Sequence, residues 1–270
     1  MISWVLAARN DGYGGSLAGV GNFAMRRLQI TVESILAAFA QEILVVEWCP
    51  PPDRDRLRAF LPDAPGLRLL TVPAEFQAEL DAANPAKQKL PFYEYLAKHV
   101  GILHARGDII LACNGDNIFP WAPAGDSPGL PKTLTSISDD RYVRAVRHEI
   151  AAAFATLPIS ELLHLAENHS LPVLQSFRTA GGDFCGFTRA AYDRLGGYTL
   201  VHGNRQVDYM FDRAARRRGI ERIQTYEHYH LHHENSIGEA PGRPLKVAEA
   251  PPIEPDLVTR CVSSVEEIRL

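Results

Sequence analysis

Short unbroken apolar runs alternate along the chain with longer stretches in which apolar residues recur every three or four positions. Ser3–Ala8 is such a run, closed by Arg9, Asn10 and Asp11, and reads as a buried strand. Glu42–Trp48, Leu67–Val72 and Ile109–Cys113 repeat the pattern. Between the first two, Met25, Leu28, Val32, Ile35, Leu36 and Phe39 form one stripe. They predict a helix from Phe23 to about Phe39 with Asn22 as its N-cap. A short helix over Asp53–Leu61 and a longer one over Phe92–Ala105 follow. Strand alternating with helix at this spacing predicts an α/β fold. Its sheet would be mostly parallel and Rossmann-like, with helices on both faces.

The second half is less regular. Trp121–Thr135 is rich in Pro and Gly and reads as a loop, and Arg141–Val146 as a strand. Glu161–Asn168 reads as a helix, and Gly181–Phe187 as a tight loop or strand. A short helix then runs from Thr188 to Leu195, closed by Gly196 and Gly197. Val207–Arg218 predicts another helix and Ile223–Leu231 an extended segment. This pattern gives one domain over residues 1–238, in halves of about 1–120 and 121–238. Residues 239–270 read as a C-terminal tail, in which Val258–Leu270 could dock as a strand or arm.

Composition narrows the class. The chain has 270 residues, 46% apolar and 22% charged, which suits one large α/β domain. Its 28 basic and 32 acidic residues leave a net charge of −4, which argues against a nucleic-acid binder. No apolar run reaches the roughly 18 residues of a membrane span, so contact with a membrane would be peripheral. Met1–Ala8 is too short for a signal sequence. Cys49, Cys113, Cys185 and Cys261 are widely spaced and read as reduced thiols of a cytoplasmic protein. Ten histidines are present, and His228, His230, His232 and His233 fall within six residues.

Ligands of open α/β sheets bind beyond the carboxyl ends of the strands. Three expected strand ends carry polar groups: Arg9 to Asp11, Glu47, and Asn114-Gly115-Asp116. A carboxylate directly after a buried strand and beside a glycine can approach a phosphate-bound metal closely. The same residues also make an ordinary Asn-Gly turn. In an extended segment His228, His230 and His232 share one face and Tyr229, Leu231 and His233 the other. Alternate residues on a strand can reach one ion, and a solvated edge is the plain alternative. The spacing fits neither a zinc finger nor an HExxH helix. With Asp116 as a further ligand, Mn²⁺ or Mg²⁺ suits better, and Mn²⁺ accepts imidazole more readily. Asp208 opens a helix, where the dipole favours an ionised carboxylate and where a general base could stand. Asp183 is a second carboxylate, set in a glycine-rich turn.

In order, these segments resemble a GT-A-type inverting glycosyltransferase of the large nucleotide-sugar-dependent family. Ala8, Arg9, Asn10 and Asp11 resemble the end of its first nucleotide-binding strand, and Glu42–Glu47 its second strand. Lys98–Ile102 through Arg106–Ile110 is similar to the helix and strand leading into the family's DxD motif, whose place Asn114, Gly115 and Asp116 take. Gly181–Arg189 through Leu195–Tyr198 looks like the acceptor-side segment of galactosyltransferase-like members. Asp208 matches the catalytic aspartate of the family's Glu-Asp pair, and the His cluster lies where many members supply a metal ligand. Asn114, Val207 and Glu47 depart from the acid, Glu and Asp usual at their positions.

The resemblance implies transfer of a sugar from a nucleotide diphosphate sugar to a glycan or other acceptor hydroxyl. Residues 1–120 would bind the nucleotide, and residues 121–238 would hold acceptor and catalyst. Asp11 and Glu47 would hold base and ribose, with Lys98 nearby. Asp116 and one of His230, His232 or His233 would hold a divalent cation, Mn²⁺ or Mg²⁺. Asp208 would be the general base and Asp183 would orient the acceptor. Three other readings stay open. One is a sugar nucleotidyltransferase, against which the Asp11–Gly21 loop counts because it has neither Lys nor Arg. Another is a catalytically weakened sugar-nucleotide or glycan-binding module. The third is a zinc hydrolase built on the histidines.

Overall fold

Period-two alternation sorts the residues of each central strand between two cores. In the computed structural model, Val5, Ala7, Leu44, Val46, Leu70, Val72, Ile110 and Ala112 face one core. Trp4, Leu6, Ile43, Val45, Leu67, Leu69, Leu111 and Cys113 face the other. Each strand is therefore apolar on both sides, which is why it reads as an unbroken run. The structure describes residues 1–12, 15–38, 41–84, 90, 92–122, 129–177, 183–203, 207–233 and 250–270, apart from the side chain of residue 225. Tyr13, Gly14, Phe39, Gly181 and Gly182, and the tail up to residue 249, lie outside the described residues.

The strands are β1 (Ile2–Ala8), β2 (Glu42–Trp48), β3 (Leu67–Val72), β4 (Ile109–Cys113), β5 (Asn117–Ile118), β6 (Arg141–Ile150), β7 (Val173–Phe177), β8 (Phe184–Thr188), β9 (Glu221–Leu231) and β10 (Glu266–Arg269). The helices are α1 (Phe23–Ala37), α2 (Glu75–Ala83), α3 (Glu94–His104), α4 (Gly129–Thr135), α5 (Ile159–Glu167), α6 (Arg189–Leu195), α7 (Val207–Arg217) and α8 (Pro255–Ser263). Among the described residues they build one α/β sheet of order β10-β3-β2-β1-β4-β8-β6-β9-β5, with β7 paired to β6. The block β3-β2-β1-β4 is parallel throughout. The chain winds outward through β1, β2 and β3, then crosses back to lay β4 on the other side of β1, so a topological switch lies between β1 and β4. Beyond β4 the sheet is mixed: β8 runs antiparallel to β4 and β6, while β9 is parallel to β6.

Helices cover both faces. α1 packs on the Trp4 side and is capped by Asn22, whose side chain accepts from the Met25 amide. α3 packs on the Val5 side. There Gly101 lets the helix sit against the sheet: a Cβ would lie 2.5 Å from Val5 Cγ1 and 2.9 Å from Val46 Cγ2. Gly196 closes α6 in the left-handed conformation, at φ 77°.

Several local expectations are corrected. The short helix expected over Asp53–Leu61 is a 3-10 turn at Leu57–Phe60, shortened because Pro50–Pro52 and the Glu47 contacts fix the preceding chain. The expected loop Trp121–Thr135 contains α4, whose Leu130 is buried against the α1 side of the sheet. α2 was hidden by its two buried positions, Phe76 and Leu80, too few to mark a stripe. In the C-terminal segment, α8 buries Leu257 and Cys261, and β10 adds an antiparallel strand to the edge at β3.

Candidate active site

The short strand β5 sets the geometry. It pairs antiparallel with β9, placing Asn117 opposite His230. Asp116, one residue earlier, therefore lies beside the end of β9, and its carbonyl accepts from the Leu231 amide at 3.1 Å. The β6–β9 register sets Glu149 opposite His230 from the other side. β9 ends at Leu231, and the chain turns so that His233 folds back toward His230, with ring centroids 5.2 Å apart.

Asp116, His230 and His233 converge. His233 Nε2 lies 3.1 Å and His230 Nε2 3.5 Å from Asp116 Oδ2, and Arg27 of α1 reaches the same oxygen at 3.5 Å. One ligand atom from each of the three residues lies within 4.8 Å of the others, and all three residues are buried. The other carboxylate oxygen, Oδ1, is buried without a hydrogen-bond partner. Burial pushes the Asp116 pKa up, but the charge of His230, hydrogen bonds from both histidines and Arg27 outweigh burial and hold it well below the usual carboxylate range. Burial pushes His230 down, yet Asp116 and Glu149 raise it to about 10. Once metal binding displaces the His230 proton, two imidazoles and an ionised carboxylate with one unpartnered buried oxygen form a donor set that fits a divalent cation, with mixed N and O ligation suited to Mn²⁺.

The four histidines separate. His228 is fully buried between Phe119 and Phe184, at ring centroids of 5.5 and 6.5 Å, and burial drives its pKa far down, so it is a neutral core residue. His232, expected on the face of His230, lies past the end of β9 with a 63% exposed side chain, 3.5 Å from Glu149. The structure thus brings His230 and His233 to Asp116 and leaves His232 at the rim. Period-two reasoning placed His233 on the opposite face because it assumed that the strand continued.

A polar chain runs from this cluster across the ends of β4 and β8. Glu149 bonds His230 at 3.0 Å and pairs with Arg147 at 2.9 Å. Arg147 bonds Asp183 Oδ2 at 2.8 Å, and Asn114 Nδ2 donates to Asp183 Oδ1 at 3.0 Å. Lys98, buried on α3, donates to Asn114 Oδ1 and to Glu94. Glu149 and Arg147 were not anticipated. Their positions on alternate residues of β6 were visible, but nothing in the sequence paired β6 with β9. Asp183 is buried, and burial raises its pKa despite Arg147. Both of its oxygens are committed, which suits a positioning role.

The remaining expected residues are scattered along the same edge. Asp208 stands in the first turn of α7, half-buried, with no ion pair among the described residues, and its carbonyl accepts from Arg144 at 3.3 Å. Its charge, after burial and Glu94, raises the Tyr95 pKa, and Lys98 Nζ lies 5.3 Å from the Tyr95 ring. Asp208 thus lies near the Lys98 end of the polar chain. Asn10 is buried and structural, donating to the Asp55 carbonyl and accepting from Asn22, both at 2.8 Å. Ala8 is buried and Asp11 half-buried at the end of β1. Gly115 gives room to Leu28, whose Cδ1 would lie 3.1 Å from a Cβ there.

Glu47, expected at the base or ribose, has both carboxylate oxygens engaged within the fold. It is 1% exposed; Oε1 accepts from the Leu57 amide at 2.6 Å, and Oε2 from Arg56 at 2.7 Å and Thr71 at 3.0 Å. Beside it, beyond the ends of β1, β2 and β3, a cleft of about 520 Å³ opens between Arg9, Pro50–Pro52 and the α2 residues Gln77 and Asp81.

Solved structures similar in fold include glucosyl-3-phosphoglycerate synthase from Mycobacterium tuberculosis, in complex with Mg²⁺ and UDP. It is 16% identical with a TM-score of 0.43, over 86% of this chain and 72% of that one. They also include the mannosyltransferase PcManGT from Pyrobaculum calidifontis, in complex with GDP-Man and Mn²⁺. That protein is 12% identical with a TM-score of 0.46, over 88% of this chain and 58% of that one. The likeness is one of GT-A-like chain course at low identity. No family model matches the chain, and no curated protein does. Among the described residues no helix is long and apolar enough to cross a membrane.

Proposed function

We propose that this chain is a metal-dependent, inverting glycosyltransferase that moves a sugar from a nucleotide diphosphate sugar to an acceptor hydroxyl. The observation that carries the reading is the convergence of Asp116, His230 and His233 at the same strand-end edge as the cleft beyond β1–β3. A nucleotide laid from that cleft across the switch between β1 and β4 would bring its diphosphate toward Asp116. Asp116, His230 and His233 would hold Mn²⁺ or Mg²⁺, which when bound supplies charge stabilisation to the departing diphosphate. The net charge of −4 then needs no field of lysines to meet the phosphates.

Asp208 takes the proton of the acceptor hydroxyl. Of the two candidate acids it is the one whose carboxylate has no ion pair among the described residues, whereas Asp183 is held by Arg147 and Asn114. Asp183 orients the acceptor through that fixed carboxylate. Val207, beside Asp208, is fully buried and serves packing.

Turnover of nucleotide sugars with Mn²⁺, with and without acceptor sugars, tests the reading. Asp208→Asn is expected to lower transfer about 100-fold or more, the scale of a lost general base, while donor binding survives. Near wild-type turnover in that variant removes Asp208 from the role. Binding of nucleotide sugars without any hydrolysis or transfer by the native chain leaves a binding module instead.

A further inference from the structure

Glu149 stands on the far side of the His230 ring from Asp116. The β6–β9 register sets it beside His230, and it is buried. Its two oxygens serve different partners. Oε2 lies 3.0 Å from His230 Nδ1, and Oε1 lies 2.9 Å from Arg147. Arg147 is two residues earlier on the same face of β6. It also bonds Asp183 Oδ2 at 2.8 Å, so the guanidinium that holds Glu149 is itself tethered. The other nitrogen of the His230 ring, Nε2, is the one that faces Asp116, 3.5 Å from Oδ2. His232, at the exposed rim, lies farther from Glu149 Oε2, at 3.5 Å.

From this geometry we infer that Glu149 is a positioning residue that makes the site prefer Mn²⁺ to Mg²⁺. The inference rests on the proposed reading, in which Asp116, His230 and His233 hold the cation. An imidazole binds a metal through a nitrogen lone pair, so the nitrogen toward the ion must be bare and the ring proton must sit on the other. A carboxylate only accepts hydrogen bonds. Glu149 therefore keeps a proton on Nδ1, leaves the Nε2 lone pair for the ion, and fixes the plane of the ring. A carboxylate in this position also raises the basicity of the ligating nitrogen. Mn²⁺ accepts imidazole readily, whereas Mg²⁺ takes oxygen ligands and keeps several waters. A residue that acts through an imidazole thus changes Mn²⁺ affinity more than Mg²⁺ affinity. A negative charge that merely lies close by would strengthen both ions alike, and a strut between β6 and β9 would change stability and neither affinity.

The test is titration of the full chain with Mn²⁺, free ion being counted by its paramagnetic resonance signal, with Mg²⁺ affinity taken from competition against Mn²⁺. Glu149→Gln keeps the shape of the side chain. With Arg147 holding the amide oxygen, the amide nitrogen faces Nδ1 and donates to it, which moves the ring proton to Nε2, on the metal side. Mn²⁺ affinity is expected to fall about 10- to 100-fold and Mg²⁺ affinity by less, so the preference for Mn²⁺ shrinks. A thermal melt without metal confirms that the variant folds. Each preference is a ratio taken within one protein, so a change in baseline stability does not enter it. Equal loss for the two ions shows that Glu149 acts by charge alone and overturns the positioning role. Unchanged Mn²⁺ affinity in Glu149→Gln removes Glu149 from the site while leaving the glycosyltransferase reading intact. Absence of Mn²⁺ binding by the native chain overturns the metal site and this inference together.

Discussion

His233 lies against Asp116, Nε2 3.1 Å from Oδ2, although 117 residues separate them in the chain. The contact exists because β5 and β9 pair and the chain then turns after Leu231. It brings a buried imidazole to a carboxylate whose other oxygen has no partner. The pair, with His230, sets the first prediction. Mn²⁺ at 100 times its Kd is expected to stabilise the native chain by about 2.7 kcal/mol, seen as a rise in Tm of several degrees. Asp116→Asn and His233→Ala lose that rise, while His232→Ala, altering an exposed side chain, keeps it. The comparison is of the Mn²⁺-induced shift in each variant, so altered baseline stability does not confound it. Loss of the shift in His232→Ala alone would reverse the ligand assignment.

Asn114 stands where the family resemblance would place an acid, and the structure gives a reason for the amide. Its Nδ2 donates to Asp183 while its Oδ1 accepts from Lys98, so one side chain bridges an anion and a cation. An aspartate there would set two carboxylates face to face. Asn114→Asp is therefore expected to destabilise the fold by about 1–3 kcal/mol, measured by urea unfolding. Adding Asp183→Asn restores a donor between the two positions and recovers most of the loss. A double variant no more stable than Asn114→Asp alone would show that the two residues do not act as a pair.

The parallel block was legible because both faces of β1 to β4 are buried, so each strand is a continuous apolar run. Asn22, Gly196 and Gly197 marked helix ends for the same local reason. What escaped is what depends on distant pairing. β5 has two residues, too few to carry a pattern, yet it places Asp116 against β9. Arg147 and Glu149 look like ordinary strand polar residues until β6 lies beside β9. His228, His230 and His232 shared one expected face, with His233 on the other; burial between Phe119 and Phe184 separates His228 from the group, and the end of β9 leaves His232 at the rim and brings His233 in.

Glu47 gives a prediction that divides structure from ligand contact. Its oxygens satisfy the Leu57 amide, Arg56 and Thr71, and so tie the chain after β2 to β3. Glu47→Ala leaves a buried amide and a hydroxyl without that partner. The expected loss is about 1–3 kcal/mol for each group left unsatisfied, read from chemical unfolding. Glu47→Gln keeps an acceptor and should lose less. In that milder variant the thermal shift produced by nucleoside diphosphate is expected to persist, because the side chain faces inward. Loss of nucleotide binding with native stability would return Glu47 to the site.

The last strand is fastened by charge, which makes its attachment depend on pH. Arg68, buried on β3, pairs with Glu267 of β10 at 2.8 Å and also with Glu42 of β2. The hydrogen bond from Arg68 holds the Glu267 carboxyl down at about 2, against an ordinary value of 4.5. A depressed carboxylate pKa means that the unfolded chain takes up its proton first as pH falls. The contribution of the pair is therefore complete above about pH 4.5 and is lost progressively as pH drops through about 2. Glu267→Gln removes the charge at every pH. The stability difference between native chain and variant is expected to be constant from pH 7 to about 5 and to shrink steadily below 4.5. Amide exchange of β10 should follow the same course, with protection of residues 266–269 falling in the variant at neutral pH. A difference that grows as pH falls would mean that Glu267 is stabilised in its protonated form, and the Arg68 pair would not be what holds β10 to β3.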